Sequence, residues 1–146
     1  MTEPVRIKIG NVSFRQKDIK SYSVNFQNDE KINSVLLNNG TKITFKDQEA
    51  GNKSVNCGRL RDGEIYNMTN FFGIKGLTIE GSKENDAYRL YSCEDYNIDT
   101  RGGKKDQIIL IDSSRGTIKA DENDITTNSS RKTPIKDNEI YTRMKK

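Results

Sequence analysis

Between Gly63 and Asp124 three segments read as one unit written three times: GEIYNMTNFFGIKGLTIEGS (63–82), NDAYRLYSCEDYNIDTRGG (85–103) and DQIILIDSSRGTIKADEND (106–124). Aligned, they place Tyr66, Tyr88 and Ile109 in one column and Met68, Leu90 and Ile111 in a second. Ile79, Ile98 and Ile118 form a third. Equivalent positions recur after 22 and 21 residues in the first block and after 19 and 20 in the last. A period of about 20 residues marks stacked supersecondary units.

Each unit holds two short β-type runs, IYNM, YRLY or IILI and then LTIE, NIDT or TIKA, separated by small, polar or glycine residues. Runs this short, with no helical period, exclude βα units. The second run alternates, so Ile79, Ile98 and Ile118 point inward while Glu80, Asp99 and Lys119 form an outward polar row. Thr78, Asn97 and Thr117 form another. Strands stacked about 4.8 Å apart would bury the isoleucines through parallel pairing. The expectation is an all-β fold, a short parallel β-helix (solenoid) of three to five coils with a small N-terminal β cap; an evenly spaced antiparallel sandwich is the competing architecture. The expected divisions are a cap or docking segment at 1–30, the solenoid at 31–126 and a polar, basic tail at 127–146.

GLTIEGS, LYSCEDYNIDTRG and LIDSSRGTIKAD each lead from a small or polar turn into a short isoleucine-centred strand, a repeat grammar that resembles the right-handed parallel β-helix, or pectin-lyase-like, superfamily. The resemblance covers about 62 of the 146 residues and includes no catalytic motif. It implies a surface that binds, as in phage tailspikes and adhesins, or one that cleaves polysaccharide.

Hydrophobic residues make up 32% of the chain and charged residues another 32%, which suits a narrow core with most side chains in solvent. The surplus of 25 basic over 21 acidic residues is small and interspersed, so it requires neither a nucleic-acid nor a membrane partner. No apolar run is long enough to span a bilayer, and MTEPVRIKIG lacks an apolar signal core. The composition, rich in Asn, Lys, Asp and Ile, resembles that of AT-rich bacterial or phage genomes. A phage particle or the bacterial cytoplasm is the expected location. Cys57 and Cys93 are too few for a disulfide framework or a zinc site, and they could pair only from adjacent coils.

Toward the N-terminus, Val5, Ile7 and Ile9, then Val12 and Phe14, then Tyr22, Val24 and Phe26 alternate with polar residues as strands do, and Gly10-Asn11 is a hairpin signal. SVLLNNGTKITF (34–45) reads either as a hairpin about Asn39-Gly40 or as a first coil with Ile43 and Phe45 in the core. KDQEAGNK (46–53) reads as a solvated loop. At the C-terminus Arg131, Lys132, Lys136, Arg143, Lys145 and Lys146 form a basic tip.

The chain has no histidine, which excludes Ser-His and Cys-His nucleophilic machinery. The nearest approach to hydrolytic carboxylates is Glu80 and Asp99, flanked by Lys119 and Arg101. Alternating charge down a stack is also how a solenoid neutralises its own surface. RGGKKDQII imperfectly resembles a calcium-binding β-roll nonapeptide, and turn formation by Gly102, Gly103 and Asp106 explains it more simply. No cofactor or metal is expected. Tyr88, Arg89, Tyr91 and Tyr96 interleave aromatic and basic side chains as stacking platforms do, but Tyr88 falls in a core column.

IILI at 108–111 breaks the alternation. With Ile109 and Ile111 inside, Ile108 and Leu110 face outward beside Tyr91, Phe71 and Phe72, an apolar interface for an identical chain or another protein. The functional expectation is a non-enzymatic binding or structural protein of a phage-like tail, spike or adhesion apparatus, with a protein partner, homo-oligomer or cell-surface glycan as ligand. An intracellular inhibitor that occludes a host defence protein is the first alternative, and a polysaccharide lyase or hydrolase the second.

Overall fold

The computed structural model describes residues 5–121, 124–128 and 139–142. In chain order its first strands are β1 (Arg6–Ile9), β2 (Val12–Arg15), β3 (Ile19–Gln27), β4 (Glu30–Leu37), β5 (Lys42–Lys46), β6 (Ser54–Asp62) and β7 (Glu64–Phe72). Shorter strands follow: β8 (Thr78–Glu80), β9 (Asp86–Tyr91), β10 (Asn97–Asp99), β11 (Gln107–Ile111), β12 (Thr117–Ala120), β13 (Ile125–Asn128) and β14 (Glu139–Thr142). Among the described residues the sole helical element is a 3-10 turn at Gln16–Asp18. The fold is all β, and the described residues form two mixed seven-stranded sheets. One runs β1-β2-β6-β7-β9-β11-β13 and the other β14-β12-β10-β8-β5-β4-β3.

Both sheets change character along the chain. The N-terminal strands pair mainly as antiparallel hairpins, β1 with β2, β3 with β4, β4 with β5 and β6 with β7. Gly10 and Asn11 make the first turn with φ of 56° and 66°, the doubly left-handed geometry that suits a two-residue hairpin. β8 still joins β5 antiparallel, and from β9 on each new strand lies parallel to the one a repeat earlier, alternately in the two sheets. Ile79, Ile98 and Ile118 stand side by side in register, and all are buried. Residues 34–45 do form a hairpin, yet Ile43 also sits against Ile79, and Ile43 and Phe45 are core residues. The basic tip, Arg131 to Lys146, lies outside the described residues apart from Glu139–Thr142, whose backbone extends the second sheet.

The first sheet corrects two expected columns. Tyr88 faces Thr69 and Ile108, not Tyr66 and Ile109, and Leu90 faces Phe71 and Leu110, not Met68 and Ile111. Phe71, Leu90, Leu110, Tyr88 and Ile108 are all 0% exposed. Ile108, Leu110 and Phe71, expected on an outward strip, are therefore core residues, and Ile109 and Ile111 take the half-buried outward positions. A shift of one residue exchanges the faces of a strand. Phe72 and Tyr91 do face outward, with their rings stacked at 4.7 Å, and Ile111 continues their row in register.

A recurring corner joins the two sheets. Left-handed residues occur three positions apart in each repeat: Gly73 and Gly76, then Ser92 and Asp95, then Asp112 and Arg115. Between them Ile74, Cys93 and Ser113 point into the core. Ser113 can replace an apolar side chain because its hydroxyl donates to the Leu90 carbonyl at 2.9 Å and accepts the Cys93 N–H at 3.0 Å. The next inward column is Leu77, Tyr96 and Gly116. A Cβ on Gly116 would lie 1.9 Å from Tyr96 Cζ, so glycine there is the space the Tyr96 ring fills.

Candidate binding face

The outward side of the second sheet carries the polar rows expected from sequence. Thr44, Thr78, Asn97 and Thr117 lie in register across β5, β8, β10 and β12. Beside them run Lys42, Glu80, Asp99 and Lys119. Glu80 and Asp99 are thus neighbours, and an arginine engages the second of them. Arg101 grips Asp99 with two bonds, Nε to Oδ1 at 3.0 Å and Nη2 to Oδ2 at 2.8 Å. That grip holds the Asp99 carboxyl below its usual range. An acid held ionised cannot donate a proton at neutral pH.

The rows lead into a polar groove of about 890 Å³. Its walls are the outward side of β4 and β5, the loop 47–53 and the corners at 73–76 and 92–95. Thr78 belongs to both the groove and the flat rows. Lys46, Lys53 and Lys75 stand among Asp47, Glu49, Glu94 and Asp95, so the lining is charged on both sides and near balance. Asp95 is held low by the Arg115 guanidinium, 2.9 Å away, and Asp47 by the Asn33 amide and then Lys31.

The loop is not the freely solvated segment expected. Gln48 is 7% exposed, and its amide fastens the loop to the first corner. Nε2 donates to the carbonyls of Lys46 at 2.8 Å and Lys75 at 2.9 Å, while Oε1 accepts the Lys75 N–H at 2.9 Å. The groove is thereby preformed, and its size suits a small ligand or a segment of polymer. Composition hid this, because a glutamine between charged residues reads as solvent-facing. Its sole sequence signal is a hydrogen-bonding side chain of the right reach beside a glycine corner.

The remaining candidates lie elsewhere. Asp86, Asp106 and Asp124 recur at the opposite ends of the repeats and act on backbone: Asp106 Oδ1 accepts the Asp86 N–H at 2.8 Å, and Asp124 Oδ1 accepts the Asp106 N–H at 3.0 Å. Burial pushes the Asp106 carboxyl up to about 8, with the Asp124, Asp86 and Asp121 charges adding to the shift. Among the described residues no group of three or more His, Cys, Asp or Glu is placed to hold a metal ion. Cys57 is half-buried and Cys93 buried; both are free, and burial pushes each thiol up to about 11. Tyr88 and Tyr96 are enclosed, Tyr88 with its hydroxyl 2.7 Å from Thr41 Oγ1, so they offer no stacking platform. Among the described residues no helix is long and apolar enough to cross a membrane.

Compared with known protein families, curated protein sequences and solved structures, the chain matches none.

Proposed function

We propose that this chain is a non-enzymatic binding protein whose parallel repeats build a short β-solenoid, and that it holds an extended, hydrated ligand of the cell-surface glycan class. The reading rests on one observation: the Thr44–Thr78–Asn97–Thr117 row runs through Thr78 into a preformed polar groove of about 890 Å³. Evenly spaced hydroxyl and amide groups suit a polymer with repeating hydroxyls, and mixed charge suits one that keeps part of its water. A tail, spike or adhesion component of a phage-like particle is the setting such a surface fits.

The test is binding of the purified chain to an array of bacterial surface glycans, repeated with Lys75→Glu and Asn97→Ala. Retained glycans whose binding falls about fivefold or more in either variant are the expected result, since each lost polar contact costs on the order of 1 kcal/mol. No retained glycan, or binding by both variants equal to that of the unaltered chain, rejects the reading. A second reading, occlusion of a partner protein, draws on the outward Phe72–Tyr91–Ile111 row. It is favoured if Tyr91→Lys abolishes capture of a host protein and leaves glycan binding unchanged.

A further inference from the structure

Among the described residues, three of the five large apolar side chains most exposed to solvent lie on one strand, the others being Val5 and Ile65. Tyr22 is 56% exposed, Val24 42% and Phe26 72%, and all three lie on β3, the nine-residue edge of the second sheet. They are on the core side of that sheet. Tyr22 pairs with Val35 and Val24 with Asn33, and these pair in turn with Ile43 and Phe45, all buried. The core face of the second sheet therefore continues onto β3 past the point where the first sheet covers it.

The strand's backbone is open on the same residues. Asn28 and Asp29, with φ of 50° and 64°, close the β3–β4 hairpin as a two-residue turn. In such a hairpin the flanking pair, Gln27 with Glu30, exchanges both backbone bonds, and bonded pairs alternate from there. The alternation leaves the N–H and C=O groups of Phe26, Val24 and Tyr22 pointing away from β4. Edge strands are ordinarily guarded by charge, proline or bulges. β1, an edge of the first sheet, carries Arg6 and Lys8; β3 has Lys20 and a register shift between Ile19 and Ser21 at its start, but residues 21–27 (SYSVNFQ) hold neither a charge nor a proline.

We propose that a second copy of this chain pairs with β3 edge to edge, antiparallel, about a twofold axis through Val24. The stretch is nearly its own mirror: Val24 meets Val24, Tyr22 meets Phe26, Ser23 meets Asn25 and Ser21 meets Gln27 of the other copy. This register joins the open backbone groups of Tyr22, Val24 and Phe26 in bonded pairs, and it puts all six apolar side chains on one face. In this register Lys20 of each copy falls opposite Asn28 of the other, so the ends set no like charges against each other. Because the pairing is edge to edge, these side chains meet their cross-strand neighbours while their common face stays open, so they bury only part of their exposed area. The contact is small for a specific interface, and the dimer is therefore reversible and dissociates on dilution. Twofold closure also uses up the edge, which a head-to-tail contact would leave open for further growth.

The experiment is sedimentation velocity on the full chain over a wide dilution series, with Val24→Lys, Val24→Glu and an equimolar mixture of the two. The unaltered chain is expected to shift from dimer to monomer on dilution. Each variant alone sets like charges against each other at the axis and should dimerise at least about tenfold more weakly. Mixing them should restore a dimer containing one of each, which a folding defect would not produce. A strictly monomeric unaltered chain overturns the proposal, as do open-ended polymers, a variant that dimerises as the unaltered chain does, or a mixture that stays monomeric. The dilution series of the unaltered chain can decide against the proposal without any variant.

Discussion

Asp106→Asn should stabilise this protein, and by more as the pH rises. Asp106 is 0% exposed, its Oδ1 accepts the Asp86 N–H, and its Oδ2 has no hydrogen-bond partner. Around Gly103 that oxygen shares its space with carbonyl oxygens: a Cβ built on Gly103 would lie 2.9 Å from Oδ2, 3.0 Å from Ser82 O and 3.4 Å from Glu84 O. A carboxylate there confronts other acceptors, while a carboxylic acid can donate to one. Burial accordingly raises its pKa from an ordinary 3.8 to about 8.

The sign of the pH effect follows from which state binds more protons. Between about pH 4 and pH 8 the folded chain keeps a proton that the unfolded chain has released. The preference for folding at this site is complete below the unfolded pKa and is lost as pH climbs to the folded one. Each pKa unit is worth about 1.4 kcal/mol, so the shift sets an upper bound of roughly 6 kcal/mol between the two ends of the window. Relaxation and water entry will reduce that, and about 2 kcal/mol is the expected gain for Asp106→Asn at pH 9. Near pH 4 the variant and the parent should be equally stable. Urea unfolding followed by circular dichroism at about pH 4, 7 and 9 measures this. A difference that is the same at every pH, or that grows toward acid, refutes the assignment of a buried, protonated Asp106.

Gly116→Ala should destabilise the fold by about 3 kcal/mol or more, because the Tyr96 ring cannot leave its enclosed site. Tyr96→Leu, which copies Leu77 from the preceding repeat, should recover part of that loss in the double variant, and an additive double-mutant cycle would contradict the packing account. Gln48→Ala removes three hydrogen bonds to Lys46 and Lys75 and should cost about 1–3 kcal/mol. It should also speed amide exchange in the loop 47–53, and unchanged exchange would show that Gln48 does not fasten that loop.

The second run of each repeat was legible because every constraint on it agrees. Ile79, Ile98 and Ile118 are the same residue, alternate with polar neighbours and recur after 19 and 20 residues. The polar row of Glu80, Asp99 and Lys119 followed from the same register, and pairing confirms that it lies in register. What composition could not reveal is where Asp99 spends its charge, since Arg101 lies two residues on in the chain and no periodicity records the bidentate grip. Tyr22, Val24 and Phe26 were legible as a strand, but alternation specifies a face and not its cover. Their exposure depends on how far the first sheet reaches.

The first run was misread for a reason the sequence itself contained. Pairing tyrosine with tyrosine gave steps of 22 and 21 residues, against 19 and 20 for the run that follows. Two strands of one stacked repeat can differ in step only if the corner between them changes length. Those corners, Gly73–Gly76, Ser92–Asp95 and Asp112–Arg115, are equal in length and repeat the same pair of left-handed residues. Aligning on the corners instead pairs Phe71 with Leu90 and Leu110, as found. Residue identity is a weak guide in a buried column, where Phe, Leu and Ile can exchange as long as the volume is filled. Backbone conformation is the stronger one, because a left-handed corner tolerates few residue types and fixes the parity of everything that follows it. That parity sends Ile108 and Leu110 into the core, and the outward apolar row therefore runs through Phe72, Tyr91 and Ile111.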